Sequence, residues 1–531
     1  MIAMANEPDR GRESEWRRIA ALVDGLEASV TELSDRIWEL AETKFEEFVS
    51  AELLADRLAA AGFAVKRGIG GLPTAFIASY SCGAGGPVIA LLGEYDALPG
   101  LSQQDGIATP EVAAGGGGNG HGCGHHLLGA GSVAAAIALK EYMAETGLPG
   151  TVRYYGCPAE EGGSGKTFLV REGAFEGVDA ALTWHPGYGN AVVSMTSSAN
   201  YQVRYRFHGR SAHAAAGPHQ GRSALDAVEL MNVGANYLRE HVPPEVRFHY
   251  AVTDTGGFSP NVVPATAEVV YLIRAPEVRD VEAVYARIND IARGAALMTG
   301  TEAQIRFEKA CSNLIPNVTL EQVMYRCFEA LGVPAFTEAE QRYAAAIAAT
   351  LQPERAGASE AGAPGGSAGT AVLADPASPT DTAALTAPAA PLAPAAASPS
   401  FPPASPALPE TLEPYAPVTG RMLGSTDVAD VSWVVPTAQL ETVCFAADTP
   451  FHSWQMVAQG RSTAAHKGMP HAAKVLAATA AELLRQPALL EQAKQELRSR
   501  GGLEGYVCPI PPDVRPPVKA APKEPLKRGT P

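Results

Sequence analysis

The sequence predicts an α/β fold: a mixed, largely parallel sheet covered by helices, into which a second small domain is inserted. Three observations predict it. Short β-type runs alternate with helical patterns between residues 73 and 184, and such alternation builds parallel strands with helices on both faces. Residues 200–310 then run strand, helix, strand, strand, helix, strand, the β-α-β-β-α-β order of ferredoxin-like units. After them helix and strand patterns resume, so the second unit interrupts the first.

Each element has a local reason. Residues 14–42 carry Trp16, Ile19, Leu22, Val23, Leu26 and Val30 at helical spacing. A second helix over 48–62 ends at Ala61-Gly62, where glycine suits a helix end. PTAFIASY (73–80) and PVIALLG (87–93) are strands, followed by a polar, Gly-rich loop with GGGG at 115–118. A helix starts near His126 and runs to about Thr146. TVRYYG (151–156) is a strand, the next loop holds Glu160 and Glu161, and after a short helix VDAALTW (178–184) is a strand. Beyond the inserted unit, 317–332 is helical, ETVCFA (441–446) is a strand, and 472–486 is a helix.

These elements divide the chain. Residues 14–198, 312–352 and 413–490 form the main domain in three parts, and 199–311 form the insert. Residues 353–412 are dominated by Ala, Pro, Ser and Gly, too little apolar surface to offset the entropy of ordering, so a disordered insertion is expected there. The Pro-rich stretch 509–531 is expected to be a loose tail.

Composition narrows the function. A chain of 531 residues suggests roughly two to four domains. Its net charge of -16 and pI of about 5.3 argue against nucleic-acid or anionic-membrane partners. No run of roughly 18 apolar residues marks a transmembrane helix, and the start lacks the pattern of a signal peptide. Seven scattered cysteines suit a reduced thiol set better than a disulfide framework. A soluble, cytoplasmic protein is expected.

The chemistry concentrates in HGCGHHLLGAG, GCPAEEGGSGK and LTWHP, which hold Cys123, His125, Glu160, Glu161 and His185. Thiol, imidazole and carboxylate are the groups that bind zinc-like ions. Glycines around Cys123 and His125 let the backbone turn sharply so that both side chains face one cavity. Glu160 and Glu161 are adjacent, and neighbours in extended chain point opposite ways. One can bind metal while the other accepts a proton from water, as metal-assisted hydrolysis requires. Glu94, Asp96, Glu160, Glu161 and His185 all follow predicted strands, where sites form in such sheets. His121 and His126 read as outer-layer or helix-start residues.

GEYDALPG (93–100), NGHGCGHHLLGAG (119–131), PAEEGGSGKTFLVREGAF (158–175), WHPG (184–187) and FHGRSAHAAAGPHQGRSALDA (207–227) resemble the di-metal amidohydrolases and exopeptidases. This group includes aminoacylases, auxin-conjugate hydrolases and aminobenzoyl-glutamate hydrolases. GCPAEEGGSGK and STDVADVSW (425–433) are most similar to the aminobenzoyl-glutamate hydrolase B-subunit group. The resemblance implies Cys123, His125, Glu161, His185 and the late His452 as metal ligands for two divalent ions, zinc or manganese. It implies Glu160 as the general base, His213 as a residue reaching a neighbouring site to polarise the scissile carbonyl, and Asn261 and Arg274 as binders of the substrate carboxylate. Asp96 orients a ligand or braces its loop. The inserted domain becomes a lid or dimerisation domain, in a homodimer or a heterodimer with a related subunit.

Two positions depart from the family's pattern. His126 stands where many relatives have Asp, and Trp454 where relatives of the auxin-conjugate type often have Pro. The expected activity is hydrolysis of the amide in an N-acyl or aminobenzoyl amino acid such as aminobenzoyl-glutamate. Dipeptidase or general aminoacylase activity, or a non-catalytic partner role, are the alternatives.

Overall fold

The computed structural model describes residues 10–113, 118–351, 406–418 and 420–519. Helices α1 (Arg10–Asp24), α2 (Glu27–Leu40) and α3 (Phe48–Ala60) come first. The single helix expected over 14–42 is therefore two. Gly25 N donates to Ala21 O and Leu26 N to Val23 O, closing α1 where glycine lowers helix propensity.

Strands β1 (Ala64–Arg67), β2 (Phe76–Cys82) and β3 (Val88–Glu94) lead to helix α4 (His125–Thr146). Strand β4 (Gly150–Cys157), the short helices α5 (Glu160–Gly163) and α6 (Gly165–Arg171), and strands β5 (Ala180–Gly187) and β6 (Ala191–Val193) follow. The insert contributes β7 (Ala199–His208), α7 (Ala224–Leu238), β8 (Arg247–Asp254), β9 (Thr266–Ala275), α8 (Val278–Thr299) and β10 (Glu302–Cys311). The chain then returns through α9 (Val318–Leu331), α10 (Glu338–Ala349), α11 (Val428–Val434), β11 (Thr437–Val443), α12 (Trp454–Gln459), α13 (Thr463–Arg485) and α14 (Pro487–Ser499).

The main sheet has the order β1-β2-β4-β3-β5-β11-β6. Its centre, β4-β3-β5-β11, is parallel, and the edge pairings β1-β2, β2-β4 and β11-β6 are antiparallel. The mixed, largely parallel sheet is thus present. The insert forms a separate antiparallel sheet, β8-β9-β7-β10, with the expected element order.

Helix α4 sets the site against this sheet. Every residue from His125 to Leu139 is buried, as expected of a helix apolar all round. By length and composition α4 could cross a membrane, but here it is the core helix, packed on β3 and between α2 and α13. Two glycines allow the close approach. A β-carbon at Gly129 would lie 2.7 Å from Glu94 O, and one at Gly131 would lie 2.8 Å from the Trp184 ring. Trp184 Nε1 in turn donates to Leu128 O at 3.1 Å. The first turn of α4 is thereby pressed against the carboxyl ends of β3 and β5.

The expected disorder of 353–412 falls mostly on residues outside the described ones, but its last part is packed. Leu408 is buried, and its N–H and C=O pair with the Gln341 amide at 2.9 and 2.8 Å. The expected loose tail is also anchored at its start. Ile510 is buried, and Arg171 donates to Pro511 O and Val514 O, so one guanidinium satisfies the carbonyls of a Pro-rich turn. Residues 520–531 lie outside the described residues.

His471 of α13 is buried and bonds Gly332 O at 2.8 Å. Burial lowers its pKa to about 4 from 6.5. Between those values the unfolded chain binds one more proton than the native one, so stability falls as pH drops from about 6.5 to about 4. Urea unfolding of His471→Gln across this range should show an acid slope shallower by about 1.4 kcal/mol per pH unit.

Candidate active site

Backbone shape comes first. Gly124, with φ of 81°, stands between Cys123 and His125 as the cap of α4. Ala159 (φ 62°), Ser164 (φ 54°) and His452 (φ 61°) are non-glycine residues in the left-handed region, a conformation that costs energy and collects at functional sites. Ala159 aims the turn carrying Glu160 and Glu161. Its N–H donates to Glu47 Oε1, which also accepts from Phe45 N, both at 2.9 Å, while Glu47 Oε2 accepts from Thr74.

The tertiary structure brings the expected ligands together. Donor atoms of Cys123, His125 and His185 lie within 4.8 Å of one another, and so do those of Cys123, Glu161 and His452. Cys123 belongs to both triads. Its sulfur is 3.4 Å from His185 Nε2, and His452 Nε2 is 3.2 Å from Glu161 Oε2. Asp96 serves both triads at once. Oδ1 lies 3.0 Å from His125 Nδ1 and Oδ2 accepts Glu161 N–H at 2.9 Å. With Nδ1 engaged, Nε2 is the His125 atom left to face an ion.

Two buried atoms fit a cation-binding pocket. His125 Nε2 and Glu161 Oε1 have no hydrogen-bond partner among the described residues, although Glu94 Oε2 lies 3.2 Å from the former. Buried polar atoms are rarely left so. Both sit in the triads, where a divalent ion would satisfy them.

Electrostatics divides the two glutamates. Burial, then the charges of Glu94, Asp427 and Glu161, push the Glu160 carboxyl well above its usual range. Burial would also raise Glu161, but the hydrogen bond from His452 and the charge of His125 bring it below. Adjacent carboxyls with pKa values driven apart are suited to different roles, one to exchange a proton and the other to stay ionised. His185 is lowered to about 4 by burial and by His125, so it stays neutral and free to coordinate.

Behind the triads lies a buried ion network that sequence spacing does not reveal. Lys166 is fully buried, with Nζ 2.6 Å from Glu94 Oε1 and 2.5 Å from Asp427 Oδ1. Glu94 also groups with His125 and Glu160. Burial works against the Lys166 charge, yet Asp427 and Glu94 hold its pKa well above the usual value. The sequence shows only a lysine after GGSG and two aspartates in STDVAD, about 260 residues apart, with nothing to pair them.

The remaining candidates are spread out. His213 lies in a turn of the insert, paired with Val262 by a bridge, and its Nδ1 accepts from Ala215 N and Ala216 N at 3.2 Å. It is in neither triad. Asn261 is exposed beside it, its carbonyl accepting from Ala214 N. Arg274 on β9 donates to Ser425 Oγ at 2.8 Å and feels the charge of Glu160. The two departures leave the triads alone. His126 Nε2 bonds Gly460 O at 2.9 Å, and Trp454 packs with the cluster around Ala344 and Ile347. His121 bonds Ile37 O at 3.1 Å.

A family model described as peptidase family M20/M25/M40 matches residues 90–438. The p-aminobenzoyl-glutamate hydrolase B-subunit of Escherichia coli (strain K12) is 49% identical over 498 residues, 93% of this chain and 97% of the relative. Xaa-Arg dipeptidase of Mus musculus is 35% identical over 316 residues, 57% of this chain and 68% of its own length. A dinuclear metal binding peptidase of the M20 family from Bacillus subtilis has the same fold, with a TM-score of 0.52 at 17% identity over 87% of this chain and 99% of that one.

Removing one partner of a buried ion network leaves the others uncompensated. Lys166→Met should therefore lower unfolding free energy by about 3–5 kcal/mol in a urea titration, far more than an exposed lysine would.

Proposed function

This chain belongs to peptidase family M20/M25/M40, and from that membership we propose that it hydrolyses the amide joining an aminobenzoyl group to glutamate. One observation carries the reading: two donor triads share Cys123, and Glu160, the carboxyl raised by its surroundings, stands beside them in neither. A relative 49% identical over nearly its whole length bears the name of that activity.

The triads Cys123–His125–His185 and Cys123–Glu161–His452 would each hold a divalent ion, with Cys123 common to both. A thiolate ligand favours zinc, while imidazole and carboxylate also admit manganese. When bound, such ions act as Lewis acids toward the scissile carbonyl and make water a stronger nucleophile.

The chain's own residues do the rest. Glu160 takes the proton of the attacking water and delivers it to the leaving nitrogen. His213, whose Nδ1 is occupied as an acceptor, carries its proton on Nε2 and donates it as a hydrogen bond to the carbonyl oxygen as charge develops there. It does so from a partner subunit, the insert serving as lid and dimerisation domain. Arg274, with Asn261, binds the α-carboxylate of the substrate. The partner is a second copy or a related chain, the relative being named as one subunit of a hydrolase. The free state of all seven cysteines supports a cytoplasmic setting. Dipeptide hydrolysis is the second reading, favoured by the mouse relative's name.

Glu160→Ala should keep its metal, measured by elemental analysis, and lose about 10²–10⁴-fold in turnover of aminobenzoyl-glutamate. Undiminished turnover would remove Glu160 from the mechanism. Cys123→Ala should lose metal from both triads together. Mixing His213→Ala with Glu160→Ala protein should restore partial activity through hybrid dimers, and a mixture as inactive as its components would place His213 within its own subunit's site. A panel of aminobenzoyl-glutamate, N-acetyl amino acids and dipeptides decides the substrate class.

A further inference from the structure

The turn that carries Glu160 and Glu161 faces the end of strand β10 in the insert. Ser164 Oγ and Cys311 Sγ are 3.0 Å apart. Lys309 precedes Cys311 by two residues, and Lys309, Ala310 and Cys311 pair in unbroken register with Gln202, Tyr201 and Asn200. Side chains two apart leave a strand on the same face, so Lys309 projects on the side that meets this turn. It is only 9% exposed. Among the described residues no hydrogen bond or ion pair engages its ammonium.

A second ammonium reaches the same turn from the main domain. Lys44, in the loop between α2 and α3, donates to Gly162 O at 3.0 Å. Its pKa is lowered, by burial first and by the Lys309 charge next, so the two amines are close enough to repel. The nearby carboxylate, Glu308, is already shared by Arg204, Gln202 and Arg306. A buried Lys309 ammonium with no carboxylate of its own, set beside the exposed Lys44 ammonium, is costly, and in a chain of net charge -16 plain surface charge does not account for the pair.

We propose that Lys44 and Lys309 form an anion subsite that takes the side-chain carboxylate of an acidic leaving amino acid. The inference rests on the amide-hydrolysis reading for its substrate, a glutamate amide with two carboxylates. Arg274 holds the one next to the scissile nitrogen, and the lysine pair holds the other. Each lysine comes from a different unit, so a dicarboxylate would bridge main domain and insert beside Glu160.

The test is binding as well as turnover, on metal-loaded full-length protein. Calorimetry should show L-glutamate binding tighter than L-glutamine by roughly tenfold to a hundredfold, the range of hydrogen bonds to charged groups. Lys309→Met and Lys44→Met should each cut that ratio at least several-fold, and Lys309→Arg should preserve most of it. The same ratio should appear in kcat/KM for aminobenzoyl-glutamate against aminobenzoyl-glutamine. Two independent lysine variants, checked by circular dichroism, guard against misfolding of one. A ratio near one in the wild type, or one that neither Met substitution lowers, overturns the subsite even if aminobenzoyl-glutamate is cleaved. A lysine-dependent preference for glutamate without cleavage of either amide supports the subsite and overturns the hydrolysis reading instead.

Discussion

The site hangs on one buried carboxylate. Asp96 takes His125 Nδ1 with one oxygen and the Glu161 backbone N–H with the other, so a single side chain joins the start of α4 to the turn after β4. Burial alone would disfavour its charge, but the His125 contacts and the Glu161 N–H keep it ionised. Both triads inherit their geometry from this joint. It also sets which nitrogen of His125 faces the pocket, and so which atom is available to an ion.

Asp96 can do this only because α4 lies so near the sheet. Gly129 and Gly131 leave no side chain between the helix and Glu94 O or Trp184, and the helix start therefore meets the ends of β3 and β5. The close-packed helix is the reason that an acidic strand end, a Cys-Gly-His turn and a strand-end histidine converge. Charge is offset from behind by Lys166, whose single ammonium pairs with both Glu94 and Asp427. Without it Glu94 and Asp427 would be buried with no ammonium paired to them.

Much of this was legible in the sequence because it depends on local rules. Alternating strand and helix patterns prescribed a largely parallel sheet, and sites in such sheets lie past strand ends, where Asp96, Glu160 and Glu161 fall; His185, expected just after a strand, instead lies within β5, two residues before its end. Gly124 between Cys123 and His125 announced the turn, and it has the left-handed φ that glycine tolerates best. Less legible were features that depend on distant partners. The apolar spacing through residue 30 runs across Gly25, so periodicity alone could not show the break between α1 and α2. Residues 406–412 read as low-complexity chain, yet Leu408 is pinned by a glutamine 67 residues away. Lys166 read as a motif residue, since nothing local says that a lysine will be buried between carboxylates from residues 94 and 427.

By itself the sequence determined the kinds of chemistry available: which groups can ligate, which glutamate pair can divide the work, and which unit interrupts which. These follow from residue identity and short-range periodicity, which tertiary contacts do not alter. Only the tertiary structure decided the sharing. It made Cys123 common to two triads, brought His452 from about 290 residues beyond Glu161, and set Lys44 and Lys309 from separate units around one turn. The physical reason is that such convergence is a property of packing, fixed by how closely α4 can approach the sheet and where the insert's β10 meets the Glu160–Ser164 turn.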